Sequence, residues 1–234
     1  KNKEKLLLIR IICLPEDDNK IDKIIKATNS QTSLSASALR ATDNIQYDIE
    51  THLKSKNLFY ERRKNYYKNR GKNRDSIVTI ESMAQVINAL IDKQPHLSLK
   101  AAGYLVKNDN NYIRIFRFKD VQIYSKAFLC MKKILELISD LYSEKNDFTE
   151  NYPFHEALYF KFHIALKVLQ NYTGKNLNEY NILDIDSNKI QDNIVKENVK
   201  EIIDSAKVYS KVYKMELLAV AKSKHFTEKI LEEE

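Results

Sequence analysis

The first strong feature along the chain is an almost unbroken apolar run, Leu6 to Leu14 (LLLIRIICL), interrupted by Arg10. A short continuous run rich in Ile and Leu predicts a strand covered on both faces. Asp17 and Asp18 then offer N-caps, and Ile21, Ile24, Ile25 and Ala27 recur at helical spacing. A short helix is expected over 19–28, stopped by Asn29, followed by a polar loop from Ser30 to Ser37. Thr42 or Asp43 caps the next helix, whose buried stripe is Ile45, Ile49 and Leu53, with Asn57 as its stop.

From Leu58 to Asn69 (LFYERRKNYYKN) aromatic residues alternate imperfectly with charge, as in a strand or an extended loop. Asn69 to Asp75 reads as a turn and Ile77 to Ile80 as a short extended piece. Met83, Val86, Ile87 and Leu90 mark a helix from Glu81 to about Lys93, with Pro95 beyond it as a stop. After that the pattern is almost wholly helical. Residues 97–106 are a short candidate. Asp120 to Tyr142 is a long one, with Val121, Tyr124, Phe128, Met131, Leu135, Ile138 and Leu141 on one face. Pro153 starts another that runs to Tyr172 and ends at Gly174. Asp186 or Ser187 caps the last, whose apolar series extends from Ile190 to Leu217.

The expected fold class is therefore mainly α with a small α/β N-terminal part, a helical bundle packed on a short sheet edge. Two regions are expected: an α/β segment over 1–80 and a helical domain over 81–234. No internal repeat is evident.

Composition narrows the function classes. Of 234 residues, 43% are hydrophobic and 30% charged, as in a globular chain that buries a core. The longest apolar run is too short to span a bilayer, and no signal-peptide pattern is present, so a cytoplasmic protein with no membrane partner is expected. Cys13 and Cys130 both sit in apolar segments, as free thiols do in a reducing compartment. With three glycines, neither G-x-G-x-x-G nor G-x-x-x-x-G-K-[ST] occurs, which removes those nucleotide-binding loops. No cofactor, metal site or catalytic constellation is expected. Glu156 and His163 lie two turns apart on one helical face near His155, but a di-metal bundle needs repeated Glu-x-x-His pairs and no second pair appears. Asp184 and Asp186 read as helix-capping residues.

Charge changes the picture most. The net +7 lies wholly in residues 1–75, which hold 17 Lys and Arg against 10 Asp and Glu; the remainder holds 22 of each. Between His52 and Arg74 nine basic residues face one acid, Glu61. Clustered like charges repel unless something anionic neutralises them, so this segment points to a partner. Within FYERRKNYYK, Arg62, Arg63, Lys64 and Lys68 could contact phosphates, and Tyr66 and Tyr67 could stack on bases. The competing reading is a half-buried strand with its tyrosines packed inward and its charge solvated. In Thr28-Asn29-Ser30-Gln31, small polar side chains suit hydrogen bonding to a nucleotide or a base edge. Asn29 also serves as a helix C-cap, whereas Gln31 has no structural excuse.

These residues carry a resemblance. IIKATNSQ (Ile24–Gln31) is similar to the "ATNSQ" motif of the abortive-infection phage-resistance (AIPR) family. Leu39-Arg40-Ala41 with Asp43, Gln46, Ile49 and Glu50 resembles the family's next stretch, FYERRKNYYKN with Gly71-Lys72 its most recognisable segment, and IVTIESMAQVIN (Ile77–Asn88) the helix after it. The four motifs recur in the family's order over roughly residues 5–135. The resemblance implies a bacterial phage-defence role and a cytoplasmic setting; some members look fused to, or associated with, nuclease domains. An Asn-Gly-Gln-rich motif that the family carries before its first strand has no counterpart here, so the chain is expected to be a C-terminal fragment, with any nuclease site upstream.

Two functions follow as expectations. One is a nucleic-acid-binding or sensing module for DNA or RNA, using Arg62, Arg63, Lys64, Tyr66, Tyr67, Lys68, Asn29 and Gln31. The other is a helical scaffold that forms a homodimer or joins a partner defence protein, its basic segment docking an acidic surface.

Overall fold

A computed structural model describes residues 36–100, 103–174 and 176–232. Residues Ala36–Glu234 cluster as one compact unit. The strand expected at Leu6–Leu14, the helix expected over 19–28, and Cys13, Asn29 and Gln31 lie outside the described residues.

The described residues are mainly α-helical with one small sheet. Helices α1 (Ala36–Arg40) and α2 (Asn44–Lys54) precede strand β1 (Phe59–Glu61), which pairs with β2 (Ile77–Thr79). Then come α3 (Ile80–Leu90), α4 (Pro95–Ser98), α5 (Tyr104–Lys107), α6 (Asp109–Ile115) and the long α7 (Gln122–Leu141). Next are α8 (Asp147–Asn151), α9 (Phe154–Tyr159), α10 (Lys161–Thr173), α11 (Asp192–Tyr213), α12 (Leu217–Ala221) and α13 (Lys224–Glu232). One connected cluster of buried side chains runs from Ile49 to Ile230.

Helix α3 is the central post of this core. Eight of its eleven residues are buried, which is the mark of a helix packed on nearly all sides. Its start is fixed by a reciprocal cap: the Ser82 amide donates to Thr79 Oγ1 at 3.0 Å and the Thr79 amide to Ser82 Oγ at 2.9 Å. The expected inward residues Met83, Val86, Ile87 and Leu90 are all buried. Its buried Asn88 is fully used. Its Nδ2 donates to Gln94 O and Ser98 Oγ, each at 2.9 Å, and its Oδ1 accepts from Arg114 at 2.8 Å. Arg114 and Arg117 both donate to Asp92 just beyond the helix, at 2.6 and 2.9 Å.

Several expectations are corrected in detail. Pro95 does not simply terminate a helix; α3 stops at Leu90, and Pro95 opens α4, where its missing N–H costs nothing. The helix expected from Pro153 to Tyr172 is two, α9 and α10, broken at Phe160, which leaves helical geometry (φ −103°, ψ 10°) and is wholly buried. Asp186 caps only a 3₁₀ turn, Ser187–Lys189, and the last long helix starts at Asp192. That helix ends at Tyr213 because Lys214 is left-handed (φ 51°), so Leu217 falls in α12. On α7 the wholly interior face is Ile123, Tyr124, Ala127, Cys130, Met131, Ile134 and Ile138; Val121, Phe128, Leu135 and Leu141 pack at its margin.

The sheet explains the basic segment. β1 and β2 run parallel, Phe59 opposite Ile77 and Glu61 opposite Thr79. Parallel strands cannot be joined by a tight hairpin, so the chain between them must cross over. That crossover is Arg62–Ser76, and it carries seven of the clustered cations.

Candidate nucleic-acid interface

The crossover is folded onto itself by the one acid it grew from. Glu61, the last residue of β1, is buried, and its carboxylate accepts the amides of Asn65 at 3.0 Å and Tyr67 at 3.1 Å. Asn65 takes left-handed backbone (φ 63°), a conformation asparagine tolerates, and lets the chain reverse over that carboxylate. A 3₁₀ turn, Lys68–Arg70, follows and closes on left-handed Gly71 (φ 70°). Asn73 then caps the turn Arg74–Ser76, its Oδ1 accepting from the Asp75 amide at 3.1 Å. The cations thus sit on a hydrogen-bonded loop anchored at both ends in the sheet.

A second acid enters from α2. Glu50 Oε2 accepts Arg62 Nε at 2.7 Å, and Glu50 Oε1 accepts the Tyr67 hydroxyl at 3.0 Å. Arg62 also donates to the Ala41 carbonyl and stacks 3.8 Å over the Tyr47 ring, one helical turn before Glu50. Burial alone would push the Arg62 pKa down, but the hydrogen bond and charge of Glu50 outweigh it and hold the guanidinium above its ordinary value. Burial first, and then Glu50, raise the Tyr67 phenol, so its O–H remains a donor.

The proposed contact residues therefore fall into two sets. Arg62 and Tyr67 face inward and hold the crossover on α2. Arg63, Lys64, Tyr66 and Lys68 are exposed. Among the described residues, Arg63, Lys64, Lys68 and Arg74 make no ion pair. Tyr66 lies edge-on to Tyr67, ring centres 4.9 Å apart, and Arg70 stacks on it at 3.7 Å. Lys72 sits over Phe59 at 4.6 Å. Glu50, Arg62, Arg63, Tyr66 and Tyr67 line a cleft of about 190 Å³. Local spacing did not reveal Glu50, Tyr47 or the loop-forming role of Glu61. The only early signal was that Glu50 fell inside a motif and Glu61 was the single acid in the cluster.

His155 is exposed. Glu156 pairs with Lys207 at 3.2 Å, and His163 Nε2 lies 3.1 Å from Thr227 Oγ1. Among the described residues no cluster of His, Cys, Asp and Glu could hold a metal ion, and no helix is long and apolar enough to cross a membrane. Asp186 Oδ1 accepts the Asn188 amide at 3.0 Å, as a capping residue should.

The AIPR protein family model matches residues 1–217, nearly the whole chain, and the chain belongs to that family. The family is one of abortive infection and phage resistance. No curated protein and no solved structure is significantly similar to the chain.

Proposed function

We propose that this protein binds nucleic acid, DNA or RNA, through the crossover Arg62–Ser76. The observation that carries the reading is the division of its cations. Arg62 is consumed by Glu50, Ala41 and Tyr47, whereas Arg63, Lys64 and Lys68 remain exposed without an ionic partner among the described residues on the same anchored loop. Such cations gain most from phosphate oxygens, because release of condensed counter-ions then drives binding. Tyr66 is exposed beside them, and a base stacking on its ring face would compete with or displace Arg70. Arg62 and Tyr67 act as positioning residues in this reading. The test is fluorescence anisotropy with labelled single-stranded and duplex DNA and RNA across a salt series. Affinity should fall steeply as salt rises, and binding indifferent to salt would rule the reading out.

A second reading, a scaffold for a second copy or a partner defence protein, has its own observation. Val208, Val212 and Tyr213 on α11 and Leu218 on α12 are exposed apolar side chains near the end of the bundle. Light scattering of the wild type beside a Val208→Ser, Val212→Ser variant tests it. Loss of a dimer in the variant supports the scaffold, and a monomeric wild type counts against self-association.

A further inference from the structure

Away from the crossover, α3, α7 and the start of α10 enclose a groove of about 430 Å³. Its walls are apolar: Val86 from α3, Phe128, Met131 and Leu135 from α7, and Phe162 from α10. Val86, Met131 and Phe162 are nearly inaccessible, so the groove is cut into the core rather than laid on polar surface. The volume falls in the range of small-molecule sites, which are mostly apolar with few polar groups.

Polar side chains share the lining, among them Ser82, Gln85, Ser139 and two lysines, and one of these lysines stands out. Lys161, the first residue of α10, is half-buried at the groove, with Phe162 as its cation–π partner at 5.2 Å. Among the described residues it has no carboxylate partner. Elsewhere on the lining, Lys132 and Glu136 lie 3.9 Å apart as an (i, i+4) pair, and Asp75 is solvent-exposed. Lys161 is therefore the one cation of the lining without an acidic partner, in a place where burial pushes its amine below the ordinary value. A desolvated ammonium without a counter-ion is costly, and an anion that also fills apolar space offsets that cost twice over.

We propose that this groove binds a small amphipathic acid, its aliphatic or aromatic body seated on Phe128, Met131 and Leu135 and its carboxylate on Lys161. The site is separate from the nucleic-acid reading and does not depend on it.

Methionine-methyl NMR tests it, with sodium octanoate as the probe, 1-octanol as its uncharged analogue, and the folded wild type, Lys161→Gln and Lys161→Arg proteins. Met131 lines the groove, whereas Met215 does not and serves as the internal control. Octanoate is expected to shift the Met131 signal saturably and leave Met215 in place. Octanol should bind about tenfold more weakly, the worth of one charge-assisted contact. Lys161→Gln should erase that difference and Lys161→Arg should keep it. A Met131 signal that octanoate does not move, equal binding of acid and alcohol, a parallel shift of Met215, or unchanged octanoate affinity in Lys161→Gln would each overturn the proposal.

Discussion

Glu50 holds Arg62 at 2.7 Å across twelve residues of sequence, and that pair fixes where the basic crossover leaves the sheet. Both side chains are largely covered, and the same carboxylate also receives the Tyr67 hydroxyl. Replacing Glu50 by Ala strands a guanidinium and a phenol at once. Glu50→Ala is therefore expected to lower stability by about 1–3 kcal/mol in urea unfolding. Tyr67→Phe, which removes one bond only, should cost about 1 kcal/mol. An unchanged midpoint in Glu50→Ala would show that the tether is not what holds the crossover.

Asp92 is a second such hub. Its side chain is 6% exposed, and it receives both Arg114 and Arg117, the former also bound to Asn88. Asp92→Ala removes the acceptor of both arginines, but Arg114 and Arg117 keep partial contact with solvent, so the cost should be about 1–3 kcal/mol. Thermal unfolding of the variant against Asp109→Ala tests this. The latter removes the carboxylate partner of Arg40, which keeps its bond to the Val106 carbonyl and its stacking on Tyr112, and Asp109 is solvent-exposed, so the change should cost less than Asp92→Ala.

The contrast between the sheet and the helices shows how far the sequence could be read. Apolar spacing found α3 and α7, with ends displaced by one to three residues, because each buries a long stripe at a period of 3.6. Three-residue strands such as β1 and β2 are too short for alternation to register, and their parallel pairing depends on contacts that no local pattern encodes. The same holds at the site. The density of cations in FYERRKNYYK was visible along the chain, whereas their division was not. Arg62 and Arg63 are adjacent and identical in type, and only Glu50 and Tyr47, brought in by α2, make one inward and the other free. The break at Phe160 was hidden because Phe154 to Thr173 keeps helical spacing throughout.

The buried imidazole of His163 makes stability depend on pH. Full burial, reinforced by nearby His96, lowers its pKa from 6.5 to about 3. Below pH 6.5 the unfolded chain takes up a proton that the folded chain refuses until about pH 3. Stability therefore falls as pH falls through that window, by about 1.4 kcal/mol per unit for one proton. Urea unfolding between neutral and mildly acidic pH should show that slope, and His163→Leu should flatten it by about one proton's worth. Identical slopes in the two proteins would mean that the ring is protonated in the fold.

Cys130 is a free, wholly buried thiol on α7 whose pKa burial raises to about 12. In a Cys13→Ser background it should resist an aromatic disulfide reagent in mildly alkaline buffer and react at once in denaturant. Fast labelling of the native protein would contradict this packing.

The central claim is that exposed cations of the crossover, and not Arg62, meet the nucleic acid. The direct measurement is affinity for labelled oligonucleotide at two salt concentrations for wild type, Arg63→Ala/Lys64→Ala/Lys68→Ala, and Arg62→Ala, each with its unfolding curve. The triple variant is expected to keep wild-type stability, lose most of its affinity and show a flatter salt dependence, by close to one unit of slope per phosphate contact removed. Arg62→Ala should lose stability first. Unchanged binding in a folded triple variant would contradict the account and turn the crossover into a protein-docking surface.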